Sequence, residues 1–197
     1  MREMIRLFLA VVIFSSVAGL VLAAVKSGTQ ERIELQQLQY VKGPAILLIL
    51  EGCSNDPLKD RFKIMDSDVE RSFFVGVFDG KPNTVAFESF GNGYGGAIGV
   101  IMAVNLDTDK IVGAGVTTHS ETPGVGSRTQ TDPAFRNQFK GLDIKASFKI
   151  KGDGGEIDAL SGATVSSRAV CAALTDNVDI YTRLKADIKE KVKTIKP

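Results

Sequence analysis

The stretch Gly91-Asn92-Gly93-Tyr94-Gly95-Gly96, running straight into Ala97-Ile98-Gly99-Val100-Ile101-Met102-Ala103-Val104, decides which kind of fold this chain can adopt. Gly91, Gly93 and Gly96 match the spacing G-x-G-x-x-G. In a dinucleotide-binding unit that spacing closes a strand and opens a helix, with an acidic residue about 20 positions on. Here the glycines lead into an apolar, β-branched run that reads as a strand. The nucleotide-fold reading therefore fails. The glycines still permit positive φ and close backbone approach, which suits either a sharp bend between strands or contact with a flat ligand. No G-x-x-x-x-G-K-[ST] phosphate loop occurs in the chain.

Outward from this point the strands come in pairs. Ala97 to Leu106 and Ile111 to Thr118 flank the turn-forming Asp107-Thr108-Asp109-Lys110. Phe73 to Phe78 and Thr84 to Phe90 flank Asp79-Gly80-Lys81-Pro82-Asn83 in the same way. Both arrangements read as hairpins. Lys145 to Ile150 alternates apolar positions and reads as a further strand. Gln30 to Val41 has helical character, and Asn55-Asp56-Pro57 marks a turn. Near the C-terminus, Val165, Ala169, Val170, Ala173, Leu174, Val178, Tyr181, Leu184 and Ile188 recur at helical spacing. The charged end of that helix, Lys185 to Lys196, is expected to project into solvent. Hairpins with helices at the ends argue for an α+β domain with antiparallel strands and flanking helices, not for alternating βαβ units.

The N-terminus is a different material. No charged residue occurs from Leu7 to Val25. That run of roughly 19 residues, rising about 1.5 Å each, is just long enough for a hydrocarbon core of roughly 30 Å. A cleaved signal peptide ending at Val21-Leu22-Ala23 is the competing reading, disfavoured because the run exceeds the usual apolar core. The expected division is a membrane anchor over residues 1–28 and one domain over 29–197. Arg2 and Arg6 precede the run, which places the N-terminus in the cytoplasm and the domain on the extracytoplasmic side. Ala45 to Leu50 is too short to span and is expected to pack in the core. A net charge of +1 without a basic stripe gives nucleic-acid binding no support. Cys53 and Cys171 could form one disulfide or be buried apolar fillers; two free thiols are favoured.

Two further clusters carry chemistry. His119-Ser120-Glu121-Thr122-Pro123-Gly124-Val125-Gly126 follows a predicted strand and holds the chain's single histidine. No second His or Cys lies at metal-ligand spacing, and no serine sits in a nucleophile elbow, so neither a metal site nor a triad is expected. Asp158-Ala159-Leu160-Ser161-Gly162-Ala163-Thr164 opens the C-terminal helix. Asp158 and Ser161 are helix-starting residue types. A helix N-terminus offers unpaired N–H groups and partial positive charge, so a phosphoester on a first-turn hydroxyl would be tolerated there.

Taken together, Gly93 to Gly96, the His119 to Gly126 loop, Phe135 with Gln138-Phe139-Lys140-Gly141, and Asp158 to Thr164 resemble a known family, in order and in spacing. The chain is similar to the G subunits of Rnf electron-transport complexes, relatives of the C subunits of sodium-translocating NADH:quinone reductases. Val125 stands where leucine is common, a conservative departure. The resemblance implies FMN joined through its phosphate to Thr164. It also implies a separate flavin transferase that uses FAD and recognises residues 158–164. Asp158, Ser161, Gly162, Ala163, Tyr94, Gly95, Gly96, Glu121, Thr122 and Gly124 would border the flavin, and Glu121 could reach a ribityl hydroxyl. No catalytic residue or metal is implied.

The implied role is electron relay in a cytoplasmic (inner) membrane complex. Such a complex passes electrons between ferredoxin and NAD, coupled to ion movement. The implied partners are its other membrane and peripheral subunits and the lipid around a single-pass anchor. The corresponding quinone-reductase component and a membrane-tethered flavin sensor are the alternatives.

Overall fold

Short turns with left-handed residues set the topology. Ser67 (φ 58°), Asp79 (φ 52°) with Gly80 (φ 71°), and Asp109 (φ 53°) each sit between consecutive strands. Asp and glycine tolerate that conformation, and it reverses the chain within a few residues. The result in the computed structural model is one antiparallel sheet in chain order. Its strands are β1 (Arg61–Asp66), β2 (Val69–Phe78), β3 (Lys81–Asn92), β4 (Ala97–Asn105) and β5 (Lys110–Thr118). The helices are α1 (Arg2–Gln36), α2 (Gly43–Ile49), α3 (Arg128–Thr131), α4 (Pro133–Asn137) and α5 (Thr164–Val192), with a π-helical turn, Gln37–Lys42, between the first two. The structure describes residues 1–195. The chain divides into two units, Met1–Gln39 and Tyr40–Pro197.

In the first unit α1 buries no residue; Leu7, Phe8 and Phe14 are all more than half exposed. Its most apolar window has a mean hydropathy of 2.7, and the helix is long and apolar enough to cross a membrane.

In the second unit α5 covers one face of the sheet and α2 the other. Phe62 pairs with Phe73, and Phe73 with Phe87, across β1, β2 and β3. The rings are 5.5 and 5.2 Å apart, and Tyr181 of α5 lies 6.4 Å from Phe87. This cross-strand aromatic ladder, with Val100, Met102, Leu174 and Ile180, forms the main core. On the opposite face Ile46 and Leu50 are completely buried, whereas Leu47 and Leu48 of the same Ala45–Leu50 run are each 47% exposed, so only one side of that run packs in the core. Gly113 makes room for Ile49: a Cβ there would approach its side chain to 3.0 Å. At the start of α2, Lys42 pairs with Glu88, whose other oxygen accepts the Thr117 hydroxyl. That fixes the beginning of α2 at the sheet end carrying the 93–96 turn.

The structure corrects several expectations. Lys145–Ile150 is not a strand. Phe148 and Ile150 are buried, but the backbone makes only an isolated bridge from Ile150 to Ile157. The alternation there reflects an irregular segment lying over the core, whose backbone joins neither edge strand of the sheet, β1 or β5. β1 and residues 69–72 of β2 lie outside the strands expected from the sequence. The charged end of α5 does not project freely. Leu184, Ile188 and Val192 are buried at four-residue spacing, and Lys185 bonds Asp109 at 2.6 Å. Lys196 lies outside the described residues. Both cysteines are free, and burial pushes the Cys171 thiol up to about 11.

One ion cluster ties α5 to β1. Asp66 accepts from Arg183 and from Arg71, both at 2.8 Å, and is itself 8% exposed. The Arg183 guanidinium, then Arg71, holds the Asp66 carboxyl below the usual carboxylate range. A depressed folded-state value stabilises the fold above the unfolded pKa of about 3.9, and the contribution is lost as pH falls through the folded value. Asp66→Asn should therefore melt earlier than the wild type at pH 7. Thermal melts run down in pH should show the two converging below about pH 4.

Candidate functional site

Glu121 is the point at which the three sequence clusters meet. It is 5% exposed, and its carboxylate accepts the Gly95 N–H at 2.7 Å and the Ser166 hydroxyl. The β3–β4 turn, the 119–126 loop and the first turn of α5 are thus tied to one buried carboxylate. The surrounding glycines are the physical requirement for this. A Cβ on Gly93 would lie 2.4 Å from Glu121 Oε1, and one on Gly126 would lie 2.5 Å from Oε2. A Cβ on Gly95 would lie 2.1 Å from the Ser120 carbonyl oxygen. These glycines serve close approach more than positive φ, although Gly96 (φ 137°) and Gly124 (φ 72°) do use the left-handed side.

Thr164 is the first residue of α5 and is exposed. Neither Asp158 nor Ser161 caps the helix: the N-cap is Ala163, with no side-chain cap bond. The first intrahelical bond runs from Ser167 N–H to Ala163 O at 2.9 Å, so the N–H groups of residues 164–166 precede it. The turn before the helix is closed from inside. Ser167 Oγ accepts the Leu160 N–H and donates to the Ala163 carbonyl, both at 3.0 Å. Gly162 (φ 78°) supplies the left-handed step that brings Ala163 and Thr164 round.

Asp158 stands apart from the Glu121 centre. Its carboxylate pairs with Lys151 at 2.7 Å, and its backbone is clamped by the Gln138 amide in both directions, at 2.7 and 3.1 Å. That clamp gives the Phe135 to Gly141 segment its place. Phe135 and Phe139 are buried edge to face, and Gln138 holds the segment leading to Thr164. Ser161 and Gly162 are exposed on that same approach, and Thr122 is exposed in the loop, where its carbonyl accepts two backbone N–H groups.

Ser166 and Gln130 lie outside the segments anticipated for the site, whereas Gly93 and Gly126 lie within them. Two serines on the buried face of an otherwise apolar helix start were the available signal. Both turn out to be fully partnered.

Around this centre three large apolar side chains are exposed beside the hydroxyls of Thr122 and Thr164. Tyr94 is 79% exposed, Val125 43% and Val165 45%. They belong to the same three segments that Glu121 draws together. A hydroxyl at an uncapped helix start, flanked by unbonded N–H groups and exposed apolar side chains, fits a phosphate joined to a flat ring. No group of three or more His, Cys, Asp or Glu suited to a metal occurs among the described residues. A shallow cavity lined by Ile49, Gly113, Arg136 and Lys140 lies between α2, β5 and α4, and none of the anticipated residues lines it.

The chain is similar to known proteins. Residues 93–179, which contain all three clusters, match the FMN-binding domain family. The chain is 32% identical over 183 residues to the G subunit of the ion-translocating oxidoreductase complex of Cereibacter sphaeroides, covering 89% of this chain and 83% of the relative. It is 32% identical over 180 residues to the protein of the same name from Methanosarcina acetivorans, covering 90% and 94%. A crystal structure of the C subunit of the Na(+)-translocating NADH-quinone reductase from Parabacteroides distasonis aligns with 57% of this chain and 61% of its own, at 28% identity and a TM-score of 0.49.

Proposed function

Since this chain belongs to the family formed by the G subunits of ion-translocating oxidoreductase complexes, we propose that it is an electron-carrying redox component of such a complex, holding FMN through a phosphoester on Thr164. The observation that carries the reading is the exposed, uncapped Thr164 at the start of α5, beside the segments gathered by Glu121. FMN, when bound, supplies one- and two-electron chemistry.

The chain's own residues supply position, retention and access. The Thr164 oxygen forms the bond to phosphorus. A flavin transferase delivering the FMN half of FAD would release AMP as that bond forms. The first-turn N–H groups of α5 and its dipole favour the phosphate by about 0.3–1 kcal/mol. That orients the group but does not retain it; the covalent bond does. A short tether gives a local concentration on the order of millimolar, so modest ring contacts suffice to seat the flavin.

Tyr94, Val125 and Val165 would border the ring and limit its contact with water, and the 93–96 turn, whose Gly95 N–H is held by Glu121, would bring backbone close to it. Thr122 and Gly124 shape the facing loop. Asp158, Ser161, Gly162 and Ala163 form the approach that the transferase reads. In this reading residues 1–28 anchor the chain in a cytoplasmic membrane with the N-terminus inside, and 29–197 work on the far side next to the other components of the complex.

Intact-mass analysis of protein from its native host tests the proposal. One FMN adduct, localised to Thr164 by peptide sequencing, is expected; an unmodified chain would overturn it. The electronic environment can be tested separately. Gly95→Ala forces the turn away from Ser120, removing the Gly95 N–H from Glu121. A shifted flavin absorption band and midpoint potential are expected at a stability cost of about 1–3 kcal/mol.

A further inference from the structure

Gln130 and His119 form a one-way chain of hydrogen bonds that ends at Glu121. The Gln130 Nε2 lies 3.3 Å from the Val116 carbonyl oxygen and 3.3 Å from that of Thr117. Carbonyls only accept, so the NH₂ end of the amide must face β5 and its oxygen must face away. That oxygen lies 3.3 Å from His119 Nε2. An amide oxygen cannot donate, so Nε2 carries the hydrogen and Nδ1 is left bare. Nδ1 then accepts the Glu121 N–H at 3.2 Å. The side chain of the same residue receives Gly95 and Ser166. Every donor in this series meets an acceptor, and reversing any one member leaves two donors or two acceptors facing each other.

We propose that Gln130 and His119 are positioning residues for the flavin site. Gln130 selects the Nε2–H form of the imidazole, the bare Nδ1 fixes the Glu121 backbone, and the Glu121 carboxylate thereby sets where the 93–96 turn and the first turn of α5 stand. Both ring nitrogens of His119 are engaged within the protein, which excludes it as the proton donor to a bound ring. The significance for electron transfer rests on the flavin reading above; the positioning chain itself does not.

The test uses the full-length chain in detergent, without flavin first. Imidazole ¹⁵N chemical shifts of the wild type should show the Nε2–H tautomer; an Nδ1–H tautomer overturns the proposal without any variant. His119→Asn places an amide oxygen near the position of Nδ1, whereas His119→Gln places its amide near Nε2. Exchange of the Glu121 amide hydrogen should stay near the wild-type rate in His119→Asn. It should accelerate about tenfold or more in His119→Gln and Gln130→Leu. Equal rates in all three variants and the wild type would overturn the assignment. In flavin-loaded protein the same ranking should reappear in the midpoint potential: Asn close to wild type, Gln and Leu displaced together. Absence of an FMN adduct would remove the function and leave the exchange result standing, so the two readings fail separately.

Discussion

Thr164→Ala is expected to give a chain that folds and assembles yet carries no covalent flavin. Thr164 is exposed, opens α5, and makes no side-chain cap bond, so little packing is lost with its hydroxyl. Alanine is the better helix former. The change in unfolding free energy should stay within about 0.5 kcal/mol, as for surface substitutions away from special features. The chemical loss, by contrast, should be complete, because no other atom occupies the place of the Thr164 oxygen. Co-expression with a flavin transferase, followed by intact mass and in-gel fluorescence, reads both effects on one sample. Thr164→Ser keeps an oxygen nucleophile and should retain part of the adduct. If Thr164→Ala still carries the adduct, the attachment site is elsewhere. If it loses the adduct while the assembled complex turns over unimpaired, the chain holds flavin without relaying electrons.

Gly91→Ala should have the largest effect on the fold. A Cβ at Gly91 would lie 2.0 Å from the Ala169 carbonyl oxygen and 2.7 Å from its carbonyl carbon. These are backbone atoms inside a 29-residue helix, so no side-chain rotation can relieve the clash. Either α5 lifts from β3 or the strand bends. Overpacking in a well-packed core costs about 1–3 kcal/mol and occasionally more; a rigid backbone obstacle places this substitution at or above the top of that range. Lifting α5 at Ala169 also moves Ser166 and Thr164, so flavin attachment should fall although every chemically involved residue is intact. Denaturant unfolding against Gly152→Ala provides the control, since a Cβ at Gly152 meets only Ile150 Cδ1 at 3.9 Å. Equal midpoints for the two variants would show that α5 does not lie so close to β3.

Much of this was legible in the linear chain. The G-x-G-x-x-G spacing could be dismissed as a nucleotide fold from what followed it, because a β-branched run cannot continue as the required helix. Both hairpins were fixed by their turn residues, and α5 by its apolar period. Lys145–Ile150 misled because a segment draped over a core alternates buried and exposed positions just as a strand does. Only a partner edge distinguishes the two. The end of α5 misled because dense charge concealed Leu184, Ile188 and Val192 on its inner face.

What the sequence determined by itself was local: where the chain turns, which stretches are apolar enough for a membrane or a core, and that a helix follows the 158–164 segment. Those depend on φ/ψ preferences and hydrophobic period, which are properties of neighbouring residues. What only the tertiary structure decided was the centre of the site. Glu121 accepts from Gly95 and from Ser166, 26 and 45 positions away, and Gln130 reaches it only through His119. A buried carboxylate must find donors wherever the fold can bring them. Hydrogen-bond satisfaction is settled in space after the chain has closed, and it leaves no period in the sequence to read.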